Sequence, residues 1–198
     1  MNNIPYKDIA LQDVYKVITG SYFCKVTEQA RRIKTRSTEV YKRFKVKNFD
    51  YVTFAGTFSY RNKDHLKRLS GLMCFDIDHT HALDALKRYI IKDKYLNAQL
   101  IFTSPGGDGL KVTIKNPHPY IEYKESYESV RAYFYRKYGI KPDSTSDIAR
   151  GCLICYDPEA WILSNNKLPA ELQLQKMISK NPMLQKLINT FDCELKIY

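Results

Sequence analysis

Apolar and polar positions alternate along this chain in short, distinct periods, and they predict a mixture of helices and strands. Residues 5–18 carry an amphipathic helical pattern, and residues 25–45 a second helical stretch dominated by basic side chains. Residues 51–60, YVTFAGTFSY, alternate as a strand interrupted by a glycine. LMCFDID at 72–78 is an apolar run ending in acids, the pattern of a buried strand that delivers carboxylates to its end. Thr80 is placed to cap a helix through Asp93, with Leu83, Leu86, Ile90 and Ile91 near helical spacing. AQLIFTS at 98–104 and LKVTIK at 110–115 read as two strands joined by the tight turn PGGDG at 105–109. An aromatic-rich helix is predicted over 121–138, a strand over 152–156 and a helical turn after Asp157-Pro158. SNNKLP is a linker, and residues 183–198 suggest a further helix and strand.

Strands alternating with helices around one tight hairpin predict an α+β fold with a mixed or antiparallel sheet. The expected arrangement resembles RNA-recognition folds, with helices packed on one face of the sheet. Three segments follow. They are a basic helical segment at 1–50, a core at 51–165, and a C-terminal linker and helix/strand at 166–198 leading toward another domain. No internal repeat or low-complexity tract interrupts them.

Composition narrows the class. An apolar fraction of 44% with 13% aromatics supplies a core that a disordered chain lacks. No apolar run has bilayer-spanning length, so no membrane association is expected. The N-terminus lacks the basic-then-apolar layout of a signal peptide, and the expected location is the cytoplasm. Five cysteines at irregular spacing read as reduced thiols. Cys152 and Cys155 form one CxxC inside a strand-like run, with no second pair or nearby His to complete a zinc site, so they read as core-filling residues.

Charge is uneven. The chain carries a net +11, and residues 1–70 hold 15 Lys and Arg against 6 Asp and Glu, so most of the excess lies there. It peaks between Lys25 and Lys47, where Arg31, Arg32, Arg43 and Lys45 interleave with Tyr41 and Phe44. A lone charge run is usually a solvated helix face. With acidic motifs downstream, this one points to nucleic acid, because Lys and Arg displace counterions while rings stack on bases.

Three constellations carry chemistry. Asp76 and Asp78 are two apart in a strand and so share a face. Paired carboxylates repel unless a cation such as Mg²⁺ or Mn²⁺ neutralises them, although a DxD also occurs where Asp caps a turn. Ser104, Gly106, Gly107, Gly109 and Lys111 lie on and beside a glycine turn whose amides can converge on an anion. The spacing is not that of a Walker A loop, and a strand rather than a helix follows. Asp147 and Arg150 lie in a polar loop just before CLICY, as a further carboxylate and a phosphate ligand or an Asx-turn pair.

Taken together, GLMCFDID, SPGGDGLKVTI and SDIARGCLICYDP resemble the virulence-associated-E-like (VirE N-terminal) domain family of bacterial mobile elements, over roughly Tyr41 to Pro158. YVTFAGTFSYRN and Ser70-Gly71-Leu72 fit the same pattern. That family is similar to the archaeo-eukaryotic primase superfamily. The resemblance implies a primase-polymerase-type core with Asp76, Asp78 and Asp147 holding Mg²⁺ or Mn²⁺. It implies that Ser104, Gly106, Gly107, Gly109, Lys111 and Arg150 bind nucleotide. Lys111 stands where the primase pattern has a histidine, and a lysine keeps the positive charge without the imidazole's proton transfer. Asp143 also offers a third carboxylate, but SDxxR leading straight into the strand favours Asp147.

The implied function is a metal-dependent primase/polymerase-like domain of a mobile-element replication protein. Nucleoside triphosphate, single-stranded DNA or primer-template, and a helicase domain or partner would be its ligands and neighbours. One alternative is a catalytically degenerate nucleic-acid-binding module of the same fold. Another is a rolling-circle-type endonuclease, in which His79 and His81 hold a metal and Tyr133, with Lys137, attacks phosphate.

Overall fold

The computed structural model describes residues 3–78 and 82–163. Residues 1–162 form one compact unit, and a second unit begins at Leu163. The expected linker, the C-terminal helix and strand, and His79, Thr80 and His81 lie outside the described residues.

Three helices come first: α1 (Leu11–Thr19), α2 (Cys24–Lys34) and α3 (Thr38–Asn48). Residues 5–10, expected as the start of a helix, form no regular element, and α1 begins only at Leu11. The long basic helix expected over 25–45 is two helices. Ser37 adopts an extended conformation and its hydroxyl accepts the Val40 amide at 3.3 Å, capping a new helix.

The strands are β1 (Tyr51–Val52), β2 (Gly56–Phe58), β3 (Leu66–Leu69) and β4 (Leu72–Ile77), followed by α4 (Leu83–Lys92). Then come β5 (Ala98–Thr103), β6 (Leu110–Lys115), α5 (Tyr123–Tyr138), β7 (Cys152–Leu153) and β8 (Trp161–Ile162). The single strand expected over 51–60 is split, because β1 pairs with β7 whereas β2 pairs with β3. The helical turn expected after Asp157 is replaced by a short turn into β8, which pairs with β5. The Asp157 carboxylate fixes this turn by accepting the amides of Thr103 at 2.6 Å and Glu159 at 3.0 Å.

The main sheet has the order β4-β6-β5-β8, and every pairing is antiparallel. The α+β class with antiparallel pairing therefore holds, but helices cover both faces rather than one. Met73, Phe75, Ile77, Ile101, Val112 and Ile114 join residues of α4 and α5 in one core. Leu100 and Phe102, which alternate with Ile101 along β5, join Val14, Ile18, Ala30 and Tyr41 of the N-terminal helices in the other. Burial on both sides explains why AQLIFTS shows no polar alternation. No helix among the described residues is long and apolar enough to cross a membrane.

Candidate functional site

Alternation along β4 and β6 creates the site. Phe75 and Ile77 enter the α4–α5 core, so Cys74 and Asp76 point to the face beneath α1–α3. The antiparallel register of β4 and β6 sets Lys111 directly opposite Asp76, and the turn at 105–109 joins β6 to β5 with Ser104 N–H donating to Gly109 C=O at 2.8 Å. Lys111 is 8% exposed, and its ammonium makes an ion pair with Asp76 Oδ2. Burial alone would lower its pKa, but the negative partners at Cys152 and Asp76 outweigh that and hold it above the ordinary lysine range.

The loop after α5 closes the edge of β4. Asp143 N–H donates to the Asp76 carbonyl at 2.9 Å, and Tyr127 Oη donates to the Asp143 carbonyl at 2.9 Å. Arg131 Nε holds the Pro142 carbonyl at 2.8 Å. Arg150 thereby reaches Asp76 Oδ2 and Asp143 Oδ2, each at 3.1 Å. Both loop acids are engaged. Asp143 takes the guanidinium, whereas Asp147 lines a cavity of about 20 Å³ with Asp76, Cys74, Tyr123, Arg150 and Cys152. That volume suits one water molecule. Within it, Asp76 Oδ1 and a guanidinium nitrogen of Arg150 are buried without a hydrogen-bond partner.

Asp78 continues the chain two residues beyond Asp76, and both carboxylates act on Lys45 of α3. Asp78 follows the end of β4, beside Gly109, where an added Cβ would lie 2.6 Å from the Ile77 carbonyl and 3.0 Å from Asp78 Oδ1. Only glycine permits this close approach of turn to strand. Asp76 and Asp147 thus share the cavity while Asp78 sits at the turn. Among the described residues, no three His, Cys, Asp or Glu groups converge on one point. With Asp76 Oδ2 already bound by two cations, the residues in this arrangement do not fit a metal centre.

The glycine turn partly satisfies itself, since the Gly107 amide donates to the Ser104 carbonyl at 2.9 Å. The four basic residues singled out in the N-terminal segment separate. Arg31 packs under Gly107 with its Nε buried and unpartnered, and Lys45 lies over the Tyr41 ring. Arg32 is exposed, and Arg43 pairs with Glu39 at 3.4 Å on the surface. Lys34 belongs to the basic run that the sequence marks for nucleic acid. It makes an ion pair with Asp108 in the turn. Helical phase carried the missed signal, since Thr27, Ala30, Arg31 and Lys34 lie on one face of α2 and the first two are fully buried.

Two thiols adjoin the ion pair. Cys74 Sγ donates to Cys152 Sγ at 3.8 Å, which holds the Cys152 thiol below its usual range and the Cys74 thiol well above it. Cys155 turns elsewhere, donating to the Thr103 carbonyl at 3.1 Å, so the CxxC residues have separate packing roles. Tyr133 lies across the sheet, donating to Asp93 Oδ2 at 2.9 Å within the α5 layer.

No curated protein and no solved structure matches this chain. A family match does cover residues 44–161, more than half of the 198, including β4, the glycine turn, Lys111 and the Asp143–Arg150 loop. The chain therefore belongs to the family described as BT4734-like, N-terminal domain.

Proposed function

We propose that this domain is a primase-polymerase-like core of a mobile-element replication protein, binding nucleoside triphosphate and single-stranded DNA beside Asp76. The observation that carries the reading is the convergence of Lys111 and Arg150 on one carboxylate next to the glycine turn. Two fixed cations sharing one small anion can exchange it for phosphate oxygens. Arg150 offers a planar fork for them and Lys111 a point charge. Asp76 then balances the cations when no phosphate is present. A groove of about 820 Å³ lined by Tyr6, Tyr22 and Tyr51 supplies aromatic surface on which bases of a single strand can stack.

The second reading is metal-dependent nucleotidyl transfer with Mg²⁺ or Mn²⁺, and it requires Lys111 and Arg150 to release Asp76 so that its carboxylate is free to take a cation. Nucleotide and strand binding, measured beside primer synthesis and extension on single-stranded DNA, separates the two. Binding with no metal-dependent extension selects the binding module. Extension abolished in Asp76→Ala/Asp78→Ala selects the transferase. A wild-type protein that binds neither ligand refutes both.

A further inference from the structure

The N-terminal helices present a second group of cations to the glycine turn. Lys34 and Tyr41 approach it so closely that a Cβ at Gly106 would lie 2.6 Å from Lys34 Nζ and 2.9 Å from Tyr41 Oη. Lys45 is one helical turn beyond Tyr41, and its ammonium lies 5.3 Å from the ring centroid, with that of Lys34 at 5.5 Å. Two ammonium groups thus flank one phenol, on the face of the molecule where Lys111 leaves the turn. Lys34 is balanced by Asp108, whereas Lys45 makes no direct ion pair among the described residues and is acted on by Asp76 and Asp78 only through space.

An unpaired, half-buried ammonium near other cations is unfavourable until an anion joins it. Lys45 shows this strain. Its pKa is held below the ordinary lysine value, first by burial and then by the charge of Lys111, and the opposing pull of Asp76 and Asp78 does not make up the difference. The Tyr41 phenol is pushed up to about 12, by burial and then by Asp108, so it remains a neutral hydrogen-bond donor.

We propose that Lys34, Tyr41, Lys45 and Lys111 form one subsite, walled by the glycine turn, for the polyphosphate tail of a nucleotide. The proposal rests on the nucleotide-binding reading above and assigns the tail to the α2–α3 side of the sheet, away from the small Asp147 cavity. A triphosphate concentrates several negative charges at one place, enough to engage Lys45 and to compete with Asp108 and Asp76 for Lys34 and Lys111. A nucleic-acid strand offers one charge per nucleotide and competes less well with Asp108 and Asp76 for two of these cations.

Calorimetric titration of the full chain with inorganic tripolyphosphate and, separately, with a short oligothymidylate tests this. The proteins are wild type, Lys45→Met, Lys45→Arg and Lys111→Met, each checked by circular dichroism for a native spectrum. Lys45→Met is expected to weaken tripolyphosphate binding by roughly tenfold or more, the scale of a hydrogen bond to a charged group. It should leave oligothymidylate binding within about twofold, and Lys45→Arg should retain most tripolyphosphate affinity. Tripolyphosphate binding lost in Lys111→Met but unchanged in Lys45→Met would overturn this subsite alone. Weakening confined to the oligothymidylate would reassign Lys45 to the strand and overturn it as well. No tripolyphosphate binding by the wild type would overturn both the subsite and the nucleotide reading.

Discussion

Asp76→Asn and Lys111→Met should destabilise the domain unequally, and the inequality follows from who is left behind. Lys111 is 8% exposed on the second strand of a four-stranded sheet, and Asp76 is its sole carboxylate partner among the described residues. Asp76 has a second cation, Arg150, at 3.1 Å. Removing the carboxylate leaves a buried ammonium uncompensated, a cost of about 3–5 kcal/mol. Removing the ammonium while keeping an apolar stem of similar length leaves Asp76 paired with Arg150, and the cost falls to about 1–3 kcal/mol. Against a typical total of about 5–15 kcal/mol, both are measurable and the first approaches the limit of folding. Urea denaturation followed by circular dichroism, with the m-value checked for constancy, gives both differences. The double variant should cost less than the two singles together, with a coupling of at least about 1 kcal/mol. A Lys111→Met protein as unstable as Asp76→Asn, or additive singles, would refute the view that this pair is a dependent buried ion pair.

Phe75→Ala removes a fully buried ring stacked on Tyr127 at 4.4 Å between centroids, and should cost about 3–5 kcal/mol in the same urea assay. At Asp93, burial alone would raise the pKa, but hydrogen bonds from Tyr138 and Tyr133 prevail and the carboxyl is held below its usual value. The stability it contributes is present above the unfolded pKa of about 4 and is lost as pH falls through the lower folded value, so the urea midpoints of wild type and Asp93→Asn should converge in that acid range. Tyr22→Ala, at a side chain 76% exposed on the aromatic groove, should weaken single-stranded DNA binding by about 1–3 kcal/mol in a fluorescence titration while leaving stability unchanged. A chain truncated to residues 44–161 should show no cooperative thermal transition, because it discards Ala30, Tyr41 and the larger apolar side chains Val14, Ile18 and Phe23, the last three each worth about 1.5–3 kcal/mol of burial.

Periodicity made the centre of the sheet legible. The apolar runs before Asp76 and after Gly109, with one tight turn between β5 and β6, are local signals, whereas the pairing of β4 with β6 that sets Lys111 against Asp76 is a long-range contact that only the family resemblance suggested. What escaped was decided by single contacts. The break at Ser37 depends on one hydroxyl capping one amide, inside a stretch whose overall composition is helical. β8 is a pair of residues, held by the Asp157 carboxylate rather than by any repeating pattern. The close approach of the glycine turn to Ile77 and Asp78 at Gly109 is a tertiary contact that i, i+2 spacing does not encode. Lys34 was lost in a basic run that read as one solvated or strand-binding face, although buried Thr27 and Ala30 give that helix an inward side.

The family match begins inside α3, yet the physical unit does not. One face of the sheet would be bare without α1–α3, because Leu100 and Phe102 point there and find their partners in Val14, Ile18, Ala30 and Tyr41. The same helices carry most of the basic excess, and part of it is turned inward onto the glycine turn rather than outward to solvent. Residues that close the core and residues that charge the site are thus interleaved on the same turns: Ala30 beside Arg31 and Lys34, Tyr41 beside Lys45. Docking these helices fixes the sheet and brings the ammonium groups to the turn in one folding event. The cost of collecting like charges is offset by burying the apolar positions between them, with Asp108 and Asp76 compensating two of those charges.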